Sequence, residues 1–298
     1  MKTYKVNLRI HGSIMTPFQA DTLFGHLCWV VAYREGEKGL QEFLDPFQKK
    51  SPPFLISDGF PNELLPKPLS AEFYLKDLRE KKDLRKVDFI TVRDFESFRK
   101  GKECRPYFVP NPYLVYLLPH NKIDRLTDST SKEGGVFSLK QTFISEISIY
   151  LKVISEEWKN TVKGLFEDLS KVGYGKKKSI GVGHFSVLEV KEFSFGNVDK
   201  ADGFVSLSNF CPAEDDPIEG LYKTFVKYGK LGEEFTFCGN PFKRPLVMVK
   251  AGSVFKTDGN PKDYYGRIVK DGIAPAKPEV VQYGYAFALP IAYPRRTK

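Results

Sequence analysis

The sequence predicts an α+β chain, two sheet-and-helix domains in tandem with a long insertion in the first. Three observations carry this. Period-two alternation recurs near residues 4–10, 137–143, 147–153 and 184–191, and stripes of helical spacing near 20–31 and 158–172 fall between those segments. Ten of the 20 prolines lie between Pro46 and Pro119, where long regular elements are not expected. Beyond residue 203, shorter apolar segments repeat the plan in weaker form.

Tyr4, Val6, Leu8 and Ile10 alternate with Lys5, Asn7, Arg9 and His11, a strand with one apolar face and one polar to basic face. Pro17 closes a connection. Ala20, Leu23, Phe24, Leu27, Val30 and Val31 then recur at helical spacing, with Asp21 suited to the positive end of the helix dipole. Residues 36–134 read as an insertion displayed from a compact core. Within it, Lys76 to Lys86 carries six basic and three acidic residues, as a charged helix or hairpin stem would, and Phe89 to Phe98 fits a short strand or helix. Segments 137–143 and 147–153 predict a hairpin turning near Ser145 and Glu146. The next helix is the best defined: Trp158, Val162, Leu165, Phe166, Leu169 and Val172 form one stripe, Ser155 caps it, Glu156 and Glu157 fill its first turn, and Gly173 follows its end. His184 to Lys191 makes the last strand, its alternation slipping at Val187–Leu188.

Strand, helix, strand, strand, helix, strand is the order of a ferredoxin-like (RRM-like) fold. The first such domain is expected over residues 1–195 with its insertion at 36–134, and a second, degenerate one over 196–298. In the second, Val205 and Leu207 mark a strand, and Pro217 with Ile218, Leu221, Tyr222 and Phe225 marks a helix whose dipole Glu214-Asp215-Asp216 would complement. Leu246–Val249 and Tyr283–Ile291 mark further strands.

With 298 residues, 41% of them hydrophobic, the chain can build a sizeable core. A net charge of +9 suits a polyanionic partner without requiring one. Cys28, Cys104, Cys211 and Cys238 lie far apart, so their spacing gives neither a disulfide framework nor a zinc site. The start of the chain lacks a signal-like core, and the longest apolar run, around Cys28 to Tyr33, is too short to span a bilayer. A reduced, cytoplasmic protein off the membrane is expected.

The densest chemical signal is Val172 to Gly183. Gly173, Gly175, Gly181 and Gly183 fall within eleven residues and enclose Lys176, Lys177, Lys178 and Ser179. Such a loop can meet a phosphodiester chain with N–H groups and ammonium charges together; taken alone, it also reads as a solvated basic turn. It is not a Walker A loop, because Gly175-Lys176 is followed by Lys177 and Ser170 stands where the first glycine belongs. It is not a dinucleotide loop either, since Gly173 and Gly175 are followed by Lys178, and it enters a strand rather than a helix. Nucleotide hydrolysis is therefore not expected. Among the histidines, His26 lies in an apolar helix without a partner at i+4, so a satisfied core role outweighs ligation. His11 ends a strand on its polar face, where an RNA contact or structural role stands ahead of acid–base work. His120 and His184 suit ordinary hydrogen bonding.

Segment His120 to Thr127 offers amide, guanidinium and hydroxyl groups: Arg125 could clamp a phosphate, fixed by Asp124 or Asn121, or form a plain surface ion pair. Lys243-Arg244 and Gly252-Ser253 suggest a second basic, flexible edge. Tyr107, Tyr113 and Tyr116 could stack on bases, though tyrosines among prolines more often pack locally.

Three segments together resemble the RAMP superfamily of CRISPR proteins and, within it, the subunit-4 family of the type III-A Csm effector. They are Ala20 to Trp29 (ADTLFGHLCW), Asn121 to Thr127 (NKIDRLT), and the Gly-Lys loop with Ser179 to Phe185 (SIGVGHF). The resemblance follows the whole chain in order, though its motifs cover about a tenth of it. It implies two ferredoxin-like folds, a projecting thumb-like hairpin, and a cap that grips the 5′ repeat-derived tag of the crRNA and docks the large polymerase-like subunit. It further implies contact with the guide–target RNA duplex and a neighbouring RAMP backbone subunit. From the residues themselves no cofactor and no metal are expected, since the sequence has no His-Glu-x-x-His, no Gly-x-Ser-x-Gly and no clustered metal-binding carboxylates. In this family the loop is expected to read Gly-Gly-Lys/Asp-Arg-Ser-Ser-Gly; here Lys177 or Lys178 replaces the arginine and Ile180 a small residue, so charge is kept and the bidentate fork is lost. The resulting expectation is a non-catalytic RNA-binding subunit. The amides of Gly175, Gly181 and Gly183 would approach the RNA, the three lysines would neutralise phosphates, and Arg9 and His11 would line the adjacent sheet. Asp21 is assigned no catalysis. The alternative is a metal-independent repeat endoribonuclease of the same superfamily using His11 or His26.

Overall fold

The computed structural model describes residues 1–104, 106–107, 109–131 and 134–295. Its elements in chain order begin with β1 (Lys2–His11), α1 (Ala20–Gln48) and β2 (Phe54–Pro61). Next come α2 (Leu78–Arg85), α3 (Val92–Arg99), β3 (Leu114–Asn121), β4 (Val136–Phe143), β5 (Glu146–Val153), α4 (Glu156–Val172) and β6 (His184–Glu192). The remainder adds β7 (Gly203–Ser206), β8 (Gly220–Leu221), β9 (Thr224–Lys227), β10 (Leu246–Val249), β11 (Val254–Lys256), β12 (Tyr264–Gly266) and β13 (Tyr285–Ile291). The result is a mixed α/β chain with four described α-helices and several antiparallel sheets.

The first sheet has the antiparallel order β6-β1-β5-β2. Tyr4, Val6, Leu8 and Ile10 of β1 are buried in one core with Leu23, Phe24 and Leu27 of α1 and Val162, Leu165 and Leu169 of α4. The ends of α4 are those read from sequence: Ser155 accepts the Trp158 N–H at 3.3 Å, and Gly173 leaves the helix at φ 86°. The slip at Val187–Leu188 is a β-bulge, since Leu8 pairs with Val187 while Asn7 pairs with Glu189.

Three expectations are corrected here. The insertion does not begin at 36: α1 continues past a break at Gly36 to Gln48, and β2 closes the first sheet, leaving residues 62–145 as the excursion. Phe54, Leu55 and Ile56 are a continuous buried run rather than an alternating one, because β2 lies between the first sheet's helices and the second sheet. Its flanking prolines, Pro53 and Pro61, mark the ends of a strand, not the absence of one. Second, β4 does not pair with β5; it forms a ribbon with β3, in register from Leu114↔Phe143 to Asn121↔Val136. Ser145 and Glu146 take no positive φ, so the tight hairpin expected there has no turn to make it. Within the excursion, Lys76–Lys86 does form a helix, and Phe89–Phe98 is a short strand leading into α3.

The third correction concerns the second unit. Its five-stranded sheet has the order β8-β11-β7-β13-β12, and no α-helix occurs among its described residues. Where a helix was expected after Pro217, the chain makes β8 and β9. Gly220 lies so close to β11 that a Cβ would sit 2.4 Å from the Val254 carbonyl oxygen, and Thr224-Phe225-Val226 carries β-branched and aromatic residues. Asp216 accepts the Ala213 and Gly266 N–H groups and so staples a loop rather than complementing a helix.

The two sheets share one core along β2. The Asp58 N–H donates to the Leu207 carbonyl, and Asp58 Oδ1 accepts the Ala20 N–H at 2.8 Å and the Asn209 N–H at 3.3 Å. Gln19, the residue before α1, makes no side-chain cap, so a carboxylate from a neighbouring strand caps the helix instead. Complete burial, with Asp21 close by, pushes that carboxyl up to about 7. Among the described residues no helix is long and apolar enough to cross a membrane.

Candidate nucleic-acid interface

The glycine-lysine loop is held from four sides. Tyr174, fully buried between two glycines, stacks on Phe18 at 4.2 Å and donates its hydroxyl to the Pro17 carbonyl. The Tyr174 N–H donates to the Gly183 carbonyl, and the Gly183 N–H to Ser13. Gly183 has φ 76°, and a Cβ there would lie 1.9 Å from the Tyr174 oxygen, so the two strands of the loop can close only on glycine. At Gly175, φ 77°, a Cβ would meet Thr16 at 2.5 Å. The Thr16 Oγ1 accepts the Lys176 N–H, and His26 Nε2 accepts the Gly175 N–H at 3.2 Å.

His26 is therefore the neutral tautomer protonated on Nδ1. Burial, and then the Lys178 ammonium, lower its pKa to about 4. A histidine so placed holds the loop; it is not positioned as a solvent-facing base.

These contacts alter the expected division of labour. The N–H groups of Gly175, Gly181 and Gly183 are all used within the protein, by His26, the Lys178 carbonyl and Ser13 respectively. Lys178 is used as well, in an ion pair with Glu233, and its carbonyl meets His184 Nε2 at 3.0 Å. What the loop presents outward is Lys176, Lys177 and Ser179, all exposed. Lys177 takes the left-handed conformation, φ 64°, and the short 3₁₀ turn Lys178–Ile180 follows it. Among the described residues the N–H groups of Lys177, Lys178 and Ser179 meet no protein acceptor.

Arg9 and His11 sit beside this turn. His11 pairs in register with His184, its Nε2 lies 3.1 Å from Ser186 Oγ, and Arg9 reaches Glu146 at 3.5 Å while staying more than half exposed. The rest of that sheet face is closed: Lys5 is buried against Glu63 and Asn62, and Asn7 bonds Glu189 and Ser148.

Asn121 and Arg125 are not brought to the loop. They lie at the far end of the exposed β3–β4 ribbon, whose near end is paired to Ser13–Ile14, and eight residues of strand separate the two ends by about 25 Å. Asp124 does not fix Arg125; its Oδ1 accepts the Leu126 N–H. The second basic edge is only partly formed: the half-buried Lys243 donates to the Val281 carbonyl and Gln282, and desolvation lowers it to about 8, while Arg244 stays exposed. Ser253 is buried. Tyr113 packs on Phe89 and Tyr116 on Phe143, while Tyr107 is exposed. Asp21 is buried in an ion pair with Lys227 at 2.9 Å and accepts from Gln282.

Sequence reading missed the residues that hold the loop. Tyr174 carried a signal, an aromatic flanked by glycines that has no reason to be solvent-exposed. His26 was read as a satisfied core histidine and is one, though its partner, 149 positions away, was not legible; Thr16 and Glu233 act from 160 and 55 positions away and carried no signal.

No family model and no curated protein matches this chain. Solved structures do. A chain in the crystal structure of a Csm1–Csm4 cassette with pppApA aligns at TM-score 0.66 and 21% identity, covering 99% of this chain and 100% of its own. The same cassette with cA4 gives 0.66 and 20% over the same shares. A Csm3–Csm4 subcomplex of the type III-A CRISPR-Cas interference complex gives 0.66 and 15%, covering 98% and 100%. Csm4 is the component common to these complexes. This chain has a Csm4-like fold. The likeness takes in the excursion, the exposed ribbon and the helix-free second unit, since it runs nearly end to end.

Proposed function

We propose that the chain is an RNA-holding subunit of a type III-A CRISPR effector, with the glycine-lysine turn as its principal contact. One observation supports this most: a turn clamped by buried groups whose outward surface is two lysines, a serine hydroxyl and three N–H groups without protein acceptors. Cationic side chains and free amides fixed in one place suit a phosphodiester chain. The RNA is the 5′ tag of a crRNA, held without cleavage, with Arg9 and His11 flanking the turn.

In the same reading the first unit is ferredoxin-like, since its sheet alternates with α1 and α4 in the βαββαβ order. The second unit is a degenerate relative that has lost its helices. The large polymerase-like subunit and a neighbouring RAMP backbone subunit are its protein partners, as Csm1 and Csm3 are of Csm4 in the similar structures. The exposed β3–β4 ribbon meets the guide–target duplex.

With Lys176, Lys177 and Arg9 each neutralising one phosphate, log affinity for single-stranded tag RNA should fall against log salt with a slope of about −2. Lys176→Ala/Lys177→Ala should flatten the slope to about −0.7. An unchanged slope in that variant removes the turn from the interface. Labelled RNA should stay intact with or without chelator; cleavage that disappears in His11→Ala would replace this reading with that of a nuclease.

A further inference from the structure

The outer face of the second sheet carries a column of aromatic rings that ends in solvent. Tyr265 of β12 stacks on Phe204 of β7 at 3.9 Å and 9°, and Phe204 on Phe255 of β11 at 5.2 Å and 17°. Phe255 stacks on Tyr222 at 5.4 Å and 9°. Ala286 and Ala288 of β13, between β7 and β12, are small enough to let Phe204 and Tyr265 meet over them. Phe204, Phe255 and Tyr265 are buried. Tyr222 is 51% exposed and has no other ring partner among the described residues, so one face of its ring is backed by the column and the other terminates it.

Two lysines, Lys223 and Lys250, adjoin Tyr222, the second with its Nζ 5.8 Å from the Phe225 ring. Lys223 and Lys250 are exposed neighbours, joined by the Lys250 N–H to the Lys223 carbonyl, and neither forms an ion pair among the described residues. The nearby Glu219 is neutralised by Lys256 at 3.1 Å. From Tyr222 the chain runs as an extended ribbon, β9 paired with β10, to Leu231 and then Glu233, the residue clipped to Lys178 of the loop. Four of those residues, Thr224–Lys227, are strand, and nine residues of chain reach at most about 30 Å.

The geometry points to Tyr222, with Lys223 and Lys250, as a stacking platform for an unpaired nucleobase and its phosphate, a second anchor for the RNA held at the glycine-lysine turn. A flat, rigidly backed ring loses little side-chain freedom when a base adds to the column, and every base has a face to offer, so the platform is tolerant of sequence. The adjacent ammonium groups supply the counter-charge for one or two phosphates. This rests on the RNA-holding reading above.

The test compares binding of an unstructured single-stranded RNA, a blunt duplex of the same sequence and AMP to the full chain. Tyr222→Ala should weaken the single strand about five- to a hundredfold, Tyr222→Phe by less than about twofold, and neither should change duplex binding. AMP that competes with the strand on the parent but not on Tyr222→Ala would assign the platform to free nucleotides; AMP that never competes assigns it to the strand. Full affinity in Tyr222→Ala alongside weakened binding in Lys176→Ala/Lys177→Ala overturns the platform and leaves the turn standing. Full affinity in both variants removes the RNA reading itself. Loss of a protein partner from Tyr222→Ala with RNA binding intact would make this face a protein interface and overturn the platform.

Discussion

Two buried groups at the start of α1 pull stability in opposite directions over almost the same pH range, and single substitutions separate them. His26 falls from 6.5 to about 4 in the folded protein because it is buried and faces Lys178. Between those values the unfolded chain binds a proton that the folded chain excludes, so stability falls as pH drops from 6.5 to 4, by about 3 kcal/mol in all. Asp58 rises from 3.8 to about 7, chiefly through burial. There the folded chain takes the proton first, so stability rises as pH drops from 7 to 3.8, by about 4 kcal/mol. The parent should therefore show little slope from these two groups. His26→Gln, which keeps an acceptor for the Gly175 N–H, removes the first term and should become more stable as pH falls toward 4.5. Asp58→Asn, which keeps the oxygen that caps Ala20, removes the second and should lose about 3 kcal/mol over the same range. Urea unfolding followed by tryptophan fluorescence at pH 7, 5.5 and 4.5, with the m-value held constant, measures both. Identical pH dependence in the parent and both variants would refute the assignment of a neutral His26 and a protonatable Asp58.

Three further outcomes follow from single contacts. Arg99 is buried in a bidentate pair with the half-buried Glu96 and donates to the Pro290 and Gly196 carbonyls, tying the excursion to the second unit; Arg99→Ala should cost about 2–3 kcal/mol in urea unfolding, because those two carbonyls lose their donor while Glu96 keeps Lys100 and the Gly196 N–H. Gly183→Ala puts a Cβ into the Tyr174 carbonyl at positive φ, so amide exchange at Tyr174 and Gly183 should speed up and RNA affinity fall, while Gly181→Ala, where the same φ meets open space, should do less. Glu233→Gln releases Lys178 from its ion pair, and the salt slope for RNA should steepen by about 0.7 if the freed ammonium takes up a phosphate.

What could be read from the sequence divides along a physical line. Elements whose signal is local were legible: the α4 stripe with Ser155 and Gly173, the alternation of β1, even the bulge at Leu188, each set by residues a few positions apart. Elements defined by burial against something distant were not. The strand β2 looked like part of an insertion because a strand covered on both faces loses its alternation and its boundary prolines resemble loop residues. β4 was given the wrong partner because sequence order favours the next strand, whereas the strand that matches it, β3, precedes a long turn. The helix after Pro217 was read from spacing that β8 and β9 satisfy equally well, with Tyr222 turned onto Phe255 rather than into a helix face.

The same line runs through the loop and changes what it can do. Four glycines beside three lysines suggested a pliable cradle of amides; the structure turns Gly175 and Gly183 inward, where positive φ and the lack of a Cβ let Thr16 and Tyr174 approach, while Gly181 stays exposed. Their N–H groups close the turn, so affinity must come from the part that is not glycine: Lys176, Lys177, Ser179 and the amides of residues 177–179. A lysine-bearing rigid turn also makes the missing arginine less consequential. An arginine fork gains its advantage by arriving pre-shaped for a phosphate, and here the backbone, clamped at His26, Thr16 and Glu233, supplies the pre-organisation that the side chain lacks. Lys177→Arg should accordingly improve RNA affinity by less than tenfold, whereas His26→Ala, which touches no phosphate, should cost more by loosening the turn. The opposite ranking in a binding titration would mean that the side chain, not the clamp, sets the affinity.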